Sequence, residues 1–269
     1  MNTSMLSTLS GLRSAQQKMD LIGNNVANLQ TDGFKSAELN FGSILASQLD
    51  TLPKEDTVGP RLTPQQLNLG QGALPQLQRI NFAPGPLKET GIPTDFAIQG
   101  NGFFQVERDG QPFYTRMGAF RLAMDGTGRM LLTTSLGDPV LDSNEEPIEL
   151  PPGYNMEVRE SGEILFVNQT NPRDVIAGPT MAVYQVANRQ LLVERGEGLY
   201  ELPAGAPAAE LVTGNEEIQV KQGALEGSNV DITKEMLELM EIQRTYQLNA
   251  RALSYVDQMG NIINNIYGR

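Results

Sequence analysis

Two proline-free stretches at opposite ends of the chain carry a helical spacing of apolar residues, and they restrict the fold more than any other feature. Near the start, a spacing that alternates between four and three residues, with polar or small residues in its gaps, runs through Met5, Leu9, Leu12, Met19 and Val26. Near the end, a similar spacing runs through Leu239, Ile242, Tyr246, Asn249, Leu253, Val256 and Ile263. Each stretch predicts a long helix with a narrow seam, which is stable only when another helix covers it.

The ends of the two predicted helices carry their own signals. The first helix should stop before Thr31, because Gly33 suits a left-handed turn. The second should begin close to Asp231, which either caps the helix alone or forms a capping box with Ser228. At a rise of about 1.5 Å per residue, the helices would be about 39 Å and about 55 Å long. The apolar segment from Phe41 to Leu49 is predicted to add a further helical turn or two.

The middle of the chain differs from both ends. Seven of the sixteen prolines lie between Pro53 and Pro93, which argues against a continuous helix or a central strand there. Beyond Asp95, strand-like runs enclose four turn sequences, namely Asp109-Gly110, Asp125-Gly126, Ser161-Gly162 and Asn188-Arg189. Asp-Gly and similar pairs supply the positive φ angles that tight hairpin turns need. The sequence therefore predicts four β-hairpins in one mostly antiparallel domain.

Together these patterns predict an α+β fold, in which long N- and C-terminal helices flank a mostly antiparallel β domain built from hairpins. The simplest closure pairs the two helices as a coiled-coil-like element that projects from the β domain. Four segments follow from this prediction: an N-terminal assembly helix with a short following segment at 1–50, an extended connector rich in proline and glycine at 51–94, the β-rich domain at 95–227, and the C-terminal assembly helix at 228–269.

The composition argues against several classes of function. The 269 residues include no cysteine and no histidine, which excludes thiolate or imidazole metal sites and histidine bases. A net charge of −12 argues against nucleic acid as a partner. No apolar run is long enough for a membrane span, and the first residues lack the basic start of a cleavable signal peptide. We expect no catalytic residue, no metal or other cofactor, no membrane insertion and no small-molecule substrate.

Asparagines crowd the end of the first stripe, in the segment LIGNNVANLQTDGFK. Asn24, Asn25 and Asn28 interrupt apolar positions there, and Asn249 interrupts the second stripe. A buried asparagine can set the register between helices of neighbouring subunits. The alternative is that these residues are ordinary helix-end and turn residues, since asparagine bonds readily to nearby backbone. The spacing alone leaves both interpretations open.

Four segments also resemble a known family. NNVANLQTDGFK closely resembles the N-terminal signature of the bacterial flagellar rod and hook proteins, in which an Asn-rich helix end runs into Thr-x-Gly-Phe-Lys. LEGSNVDITKEMLELMEIQRTYQLNARAL resembles the matching C-terminal signature, and PTDFAIQGNGFFQV followed by YTRMGAF resembles the shared core. The segments occur in the family's order and cover both termini and most of the β region. The length and the connector are most similar to the distal or proximal rod proteins.

The resemblance implies a structural role without enzyme activity. Subunits of this family are exported unfolded by the flagellar type III apparatus and polymerise into a helical tubular axle that transmits torque to the hook. The expected location is therefore the flagellar basal body outside the cytoplasm. The expected partners are copies of the chain itself, neighbouring rod and hook subunits, and the export apparatus.

The residues expected to carry assembly are those of the two seams and of the N-terminal signature. They are Met5, Leu9, Leu12, Met19, Asn24, Asn25, Val26, Asn28, Gly33, Phe34, Leu239, Ile242, Tyr246, Asn249, Leu253, Val256 and Ile263. Three alternatives remain at this point: a hook-type subunit, a soluble coiled-coil scaffold or adaptor that forms a discrete complex, and a glycan hydrolase that uses paired carboxylates.

Overall fold

A computed structural model describes residues 2–43, 73–203, 205, 207, 209–212 and 218–267. The chain divides into two compact units. Unit 1 comprises Met1–Val26, Ala37–Arg79 and Asp231–Arg269, and unit 2 comprises Ala27–Ser36 and Ile80–Val230. Most of the predicted connector, residues 51–72, lies outside the described residues.

Unit 1 contains two long helices and a two-stranded sheet. Helix α1 spans Asn2–Ala27 and helix α2 spans Ile232–Tyr267, as the apolar stripes predict. Strands β1 (Ala37–Ser43) and β2 (Ala73–Ile80) pair with each other. Residues 41–43 of the segment predicted to add a helical turn or two belong to β1 and are not helical; residues 44–49 of that segment lie outside the described part.

Unit 2 is built from sixteen short strands among its described residues. In chain order they are β3 (Leu87–Glu89), β4 (Phe96–Gln99), β5 (Phe103–Arg108), β6 (Gln111–Thr115), β7 (Arg121–Met124), β8 (Met130–Thr133), β9 (Glu149–Leu150), β10 (Tyr154–Val158), β11 (Glu163–Asn168), β12 (Val175–Thr180), β13 (Val183–Gln185), β14 (Val193–Gly196), β15 (Leu199–Glu201), β16 (Glu210–Leu211), β17 (Gln219–Gln222) and β18 (Ala224–Glu226).

These strands form five antiparallel sheets. The largest has the order β14-β15-β6-β5-β13-β16, and two three-stranded sheets have the orders β7-β8-β9 and β10-β11-β12. Two further pairs join distant parts of the chain, since β17 pairs with β4 and β18 pairs with β3. The last strands of unit 2 therefore lie beside its first ones, which closes the unit.

Three of the four predicted hairpins are confirmed. Asp109-Gly110 joins β5 to β6, Asp125-Gly126 lies between β7 and β8, and Ser161-Gly162 lies between β10 and β11. The hairpin predicted at Asn188-Arg189 is wrong, because β13 pairs with β5 and β16 while β14 pairs with β15. The Asn188 side chain instead accepts a hydrogen bond from Gln190 N and caps a 3-10 helix, Arg189–Leu191.

Aromatic rings organise the interior of unit 2. One buried cluster groups aliphatic residues around Phe96, Phe104 and Phe120, and the rings of Phe104 and Phe120 meet edge to face at 5.3 Å. A second cluster lies around Phe103 and Tyr200, whose ring centroids are 6.1 Å apart. The successive residues Phe103 and Phe104 thus serve different clusters, as expected for a strand that is buried on both faces.

Candidate assembly site

Helix α2 exposes large apolar side chains along much of its described length. Four of them lie 11, 7 and 4 residues apart, which places them on one face of the helix. We call this set the α2 outer stripe; its members are Leu237, Leu248, Tyr255 and Met259, each more than half exposed. On the neighbouring face, Ile232, Met236 and Met240 are also exposed. A run of this kind is typical of a surface that contacts another protein.

The two helices of unit 1 contact each other with opposite directions. A Cβ placed on Gly11 would lie 3.1 Å from Nδ2 of Asn249, so the helices come close there. Seven residues further along α1, Lys18 forms an ion pair of 3.0 Å with Glu238. Asn25 then donates to Glu235 over 3.0 Å. The residue numbers of the partners in α2 decrease as the residue numbers in α1 increase, so the contacting segments of the two helices are antiparallel.

Asn25 is the best anchored of the asparagines that interrupt the first stripe. It is 1% exposed, and its amide group bonds to both backbone groups of Ala37, from Nδ2 to the carbonyl at 2.9 Å and from the Ala37 N–H to Oδ1 at 3.1 Å. Its other Nδ2 hydrogen serves Glu235. Asn25 therefore ties α1 to the first residue of β1 and to the start of α2, all within one chain.

Glu235 lies in a charged crevice of about 110 Å³ between α1, β1 and α2. Lys234 pairs with Glu38 at 2.9 Å, and Lys18 with Glu238, so both nearby lysines already have a carboxylate partner. Burial raises the pKa of Glu235, the hydrogen bond from Asn25 opposes this, and the negative charge of Glu238 adds to it. The ionised form of Glu235 is thus disfavoured by burial at the contact between the helices.

A buried cluster of three charges lies in unit 2. Glu226 accepts from Lys35 Nζ at 2.6 Å and from Arg116 at 3.1 Å, and all three side chains are almost completely buried. Arg116 also donates to the carbonyl of Gly100 and lies over the ring of Phe103. Burial lowers the pKa of Lys35 and of Arg116, while the attraction of Glu226 raises both. The cluster joins the N-terminal segment, the end of β6 and β18.

Backbone contacts surround this cluster. The Gly33 N–H donates to the carbonyl of Glu226 at 2.6 Å. Gly33 has φ +71°, and a Cβ on it would lie 2.8 Å from the backbone nitrogen of Met117. Asn229 accepts from the Ser36 N–H at 2.7 Å and donates to the carbonyls of Asn81 and Ala83. The segments TDGFKS and LEGSN therefore interlock within unit 2.

The predicted assembly residues are placed in several environments. Asn25 and Gly33 are buried, Leu9, Asn24 and Tyr246 are exposed, and the side chains of Met5, Val256 and Ile263 lie outside the described part. The others are partly buried, namely Leu12, Met19, Val26, Asn28, Phe34, Leu239, Ile242, Asn249 and Leu253. The most buried side chains described in α1 are those of Ser14, Ala15, Ile22 and Asn25. The face that α1 buries is thus rotated from the predicted seam.

Several residues of the site lie outside the two predicted seams. Arg116 is the single charged residue of YTRMGAF, and that placement is the one signal that could have found it; Lys35 and Glu226 stand among other polar and charged residues in their segments. Glu235 has no comparable signal, since it is one acid among several on α2. Among the described residues, no group of three or more acidic side chains is arranged to hold a metal ion. None of the described helices is long and apolar enough to cross a membrane.

Three family descriptions match the chain, in the order of its segments. Residues 5–35 match "Flagella basal body rod protein", residues 97–166 match "Flagellar hook protein FlgE/F/G D1 domain", and residues 221–266 match "Flagellar basal body rod FlgEFG protein C-terminal". These matches contain Asn25, Gly33, Arg116, Glu226 and Glu235. The buried charge cluster and the helix contact are thus both built from segments that the family descriptions cover.

Individual relatives agree with these matches. The flagellar hook-basal body complex protein FlhP of Bacillus subtilis is 32% identical over 98% of each chain. The flagellar basal-body rod protein FlgG of Agrobacterium fabrum is 30% identical over 94% of this chain and 95% of its own. The flagellar hook protein FlgE of Treponema pallidum is 39% identical over 47% of this chain but only 27% of its own. The chain therefore belongs to the family of flagellar basal-body rod and hook proteins.

Proposed function

We propose that this chain is a structural subunit of the flagellar basal-body rod and that it polymerises through its terminal helices. The observation that carries the proposal is the α2 outer stripe, because a folded chain leaves these large apolar side chains in water unless another protein covers them. The rod is favoured over the hook by length, since the chain spans 95–98% of the rod and basal-body relatives and only 27% of the hook protein.

The assembly contact is a coiled-coil-like packing of helices between copies. The antiparallel contact from Gly11 to Asn25 buries one side of each helix within unit 1, and the outer stripe offers a second side to a neighbour. A head-to-tail contact that does not close on itself generates a helix, which is the geometry of a tubular axle. Torque would pass to the hook through many helices that lie side by side.

Folding of the termini would be completed on assembly. The exposed side chains of Leu9 in α1 and of the α2 outer stripe would gain full cover only when neighbours dock. Subunits would leave the cytoplasm unfolded through the flagellar export apparatus and meet copies of themselves and neighbouring rod and hook subunits. The segments 1–50 and 228–269 would act as the assembly elements, with 51–94 and 95–227 supplying lateral contacts. No enzyme activity belongs to this role.

Sedimentation of the purified full chain tests the proposal. We expect larger species to appear as protein concentration rises, and Leu248→Glu to raise the concentration required by at least about tenfold, because a charge would have to be buried in the contact. The matched control is Leu136→Glu, since Leu136 is equally exposed but lies in a turn of unit 2.

Circular dichroism should show the same helix content for both variants in dilute solution. Equal loss of assembly in both variants would remove the α2 outer stripe from the contact. A chain that stops at a discrete dimer at every concentration would favour the adaptor alternative instead.

A further inference from the structure

Helix α1 has an exposed face that is directed away from α2. Four exposed residues follow one another there at spacings of four, three and four, which places them on one side of the helix. We call this set the α1 outer face; its members are Leu9, Arg13, Gln16 and Asp20. The contacts of α1 with α2, at Gly11, Lys18 and Asn25, lie on the opposite side. The α1 outer face therefore remains uncovered by α2 of the same chain.

Helix α2 has exposed charges on the same face as its outer stripe. Glu241, Arg244 and Arg251 are exposed, and their spacing from Leu237 by 4, 7 and 14 residues places them on that face. The ion pairs between described residues of unit 1 involve other side chains. The three charges on α2 and the two on the α1 outer face thus form no ion pair within the described part of the chain.

The two faces fit each other when α1 of one copy lies parallel to α2 of another. Positions equally far along two parallel helices lie at the same height, since both helices rise by about 1.5 Å per residue. With Leu9 placed opposite Leu237, two exposed apolar side chains cover each other. Arg13 then lies opposite Glu241, because each is four residues further along its helix. This register thus combines an apolar pair with a pair of opposite charges.

Asp20 gains two cations in the same register. It lies opposite Leu248 of the α2 outer stripe, and Arg244 and Arg251 lie four residues before and three residues after Leu248. Each arginine is therefore about one helical turn from Asp20, within reach of a long side chain. An antiparallel arrangement that brings Asp20 opposite Arg244 would instead place Arg13 opposite Arg251, which are like charges. The charges therefore favour the parallel direction.

We propose that the α1 outer face of one copy of this chain packs parallel against the α2 outer stripe of a second copy, with Asp20 held between Arg244 and Arg251. The inference rests on the proposed function and names the surface that receives the stripe. The partner is a second copy because both matching faces belong to this chain, whereas α1 and α2 of one copy are antiparallel where they contact each other. Each copy has the two faces on different helices, so the contact is head-to-tail and can continue from copy to copy.

The charges and the apolar residues have different roles in this contact. Exposed ion pairs contribute little affinity, but a like charge in their place is costly. The attraction therefore comes mainly from Leu9 and the α2 outer stripe, while the charges fix the direction and register of the two helices.

Charge reversal in the full chain tests the pairing by sedimentation. Asp20→Arg should raise the concentration required for assembly at least about tenfold, because three arginines would then meet. Adding Arg244→Asp and Arg251→Asp to the same chain should return this concentration to within about threefold of that of the natural chain. The control is Glu157→Arg, which makes the same change of charge at an exposed position of unit 2 and should not raise the concentration.

A mixture of two variants gives a second readout. The first variant is Asp20→Arg, and the second combines Arg244→Asp with Arg251→Asp. Each variant alone brings like charges together in every contact and should assemble poorly. In a one-to-one mixture, each α1 outer face meets a matching α2 face on the other variant, so alternating assemblies should form at concentrations at which neither variant assembles alone.

Circular dichroism should show equal helix content for all variants in dilute solution. Assembly of Asp20→Arg at the concentration of the natural chain, or no recovery in either the combined variant or the mixture, would overturn the inference. If Leu248→Glu still prevented assembly in that case, the proposed function would stand and only this pairing would be removed. A natural chain that forms no larger species at any concentration would overturn both.

Discussion

Glu226 is in contact with two buried cations, Lys35 and Arg116, at 2.6 Å and 3.1 Å. Taking three charges out of water is costly, and their attraction offsets this cost only while all of them are present. A complete buried cluster is therefore weak evidence for net stability, whereas removing one partner from it is strongly destabilising. Its loss would release the N-terminal segment and β18 from the end of β6.

Glu226→Gln should lower the free energy of unfolding by about 3–5 kcal/mol, because the two cations would then be buried with a neutral partner. Urea denaturation followed by circular dichroism measures the change. Glu89→Gln is the control, since Glu89 pairs with Lys221 at the surface, and it should leave the midpoint nearly unchanged. A shift for Glu226→Gln no larger than that of the control would contradict a buried ionic cluster.

Gly33 and Gly23 offer a matched pair of glycines. Gly33→Ala should destabilise the chain by about 1–3 kcal/mol, because φ is +71° and the new Cβ would press on the backbone of Met117. Gly23→Ala should stabilise it by about 0.5–1 kcal/mol, because Gly23 lies in α1 with open space around it. Thermal melting of both variants checks the opposite signs, and a loss of stability in both would refute this assignment.

At the residue scale, the local backbone conformation can be predicted from the sequence, whereas contacts between residues far apart in the sequence cannot. The left-handed turn at Gly33 follows from Thr-Asp-Gly at a helix end, since the signal lies in neighbouring residues. The contact between Lys35 and Glu226 joins positions 191 residues apart, and neither residue belongs to a periodic pattern. The remaining clue to that cluster is Arg116, the single charged residue of YTRMGAF.

Helix α2 begins at an N-cap, Asp231, and its first turn contains a buried titratable residue, Glu235. Asp231 accepts from the N–H groups of Thr233 and Lys234, which resolves the two capping alternatives in favour of Asp231 alone. Ser228 instead accepts from the Val230 N–H. One turn into the helix, Glu235 is buried against Asn25 of α1, so we expect the contact between the helices to depend on pH.

Glu235 should make the helix contact weaker as the pH rises. Burial holds its pKa above the ordinary value of 4.5, so between the unfolded and the folded pKa the folded chain binds the additional proton. The free energy of unfolding therefore falls as the pH rises through this window, and the full cost is present above it. Glu235→Gln should lose this pH dependence and gain stability relative to the natural chain with rising pH.

Urea midpoints of the two proteins across this pH range measure the effect. Gln can still accept the hydrogen bond from Asn25, so the variant removes the charge while the contact remains. Glu241→Gln, on the exposed face of α2, is the control and should run parallel to the natural chain. A constant difference between Glu235→Gln and the natural chain at every pH would contradict the prediction.

At the element scale, the predictions that hold rest on short-range signals. Proline-free apolar spacing gave both helices, and Asp-Gly gave the hairpins at Asp109 and Asp125. The hairpin at Asn188 failed because its side chain satisfies a local N–H and starts a 3-10 helix. Residues 41–43, at the start of the segment predicted to be helical, instead pair with β2, which begins at Ala73, 32 positions after Phe41. Pairing between strands so far apart in the sequence produces no periodic pattern of residues within either strand that would predict it.

The whole molecule carries a net charge of −12, and every copy in an assembly carries the same charge. In the proposed assembly, self-association would have to overcome this repulsion, and the α2 outer stripe would supply an apolar attraction that salt does not screen. We expect the concentration at which the chain assembles to fall as ionic strength rises. Sedimentation in a series of sodium chloride concentrations measures this, and dissociation by salt would show that ion pairs dominate the contact.

Hook formation in the bacterium tests directly whether the chain is a rod subunit that assembles through its terminal helices, because an axle subunit is needed before a hook can be built on it. Hooks would be counted by electron microscopy in a strain that lacks the gene and carries the full chain, Leu248→Glu, Leu136→Glu, or a chain without Asp231–Arg269. Immunoblots would confirm that all four proteins are made and exported. Hooks should form with the full chain and with Leu136→Glu only. Normal hooks in the deletion strain, or with the chain that lacks α2, would contradict it.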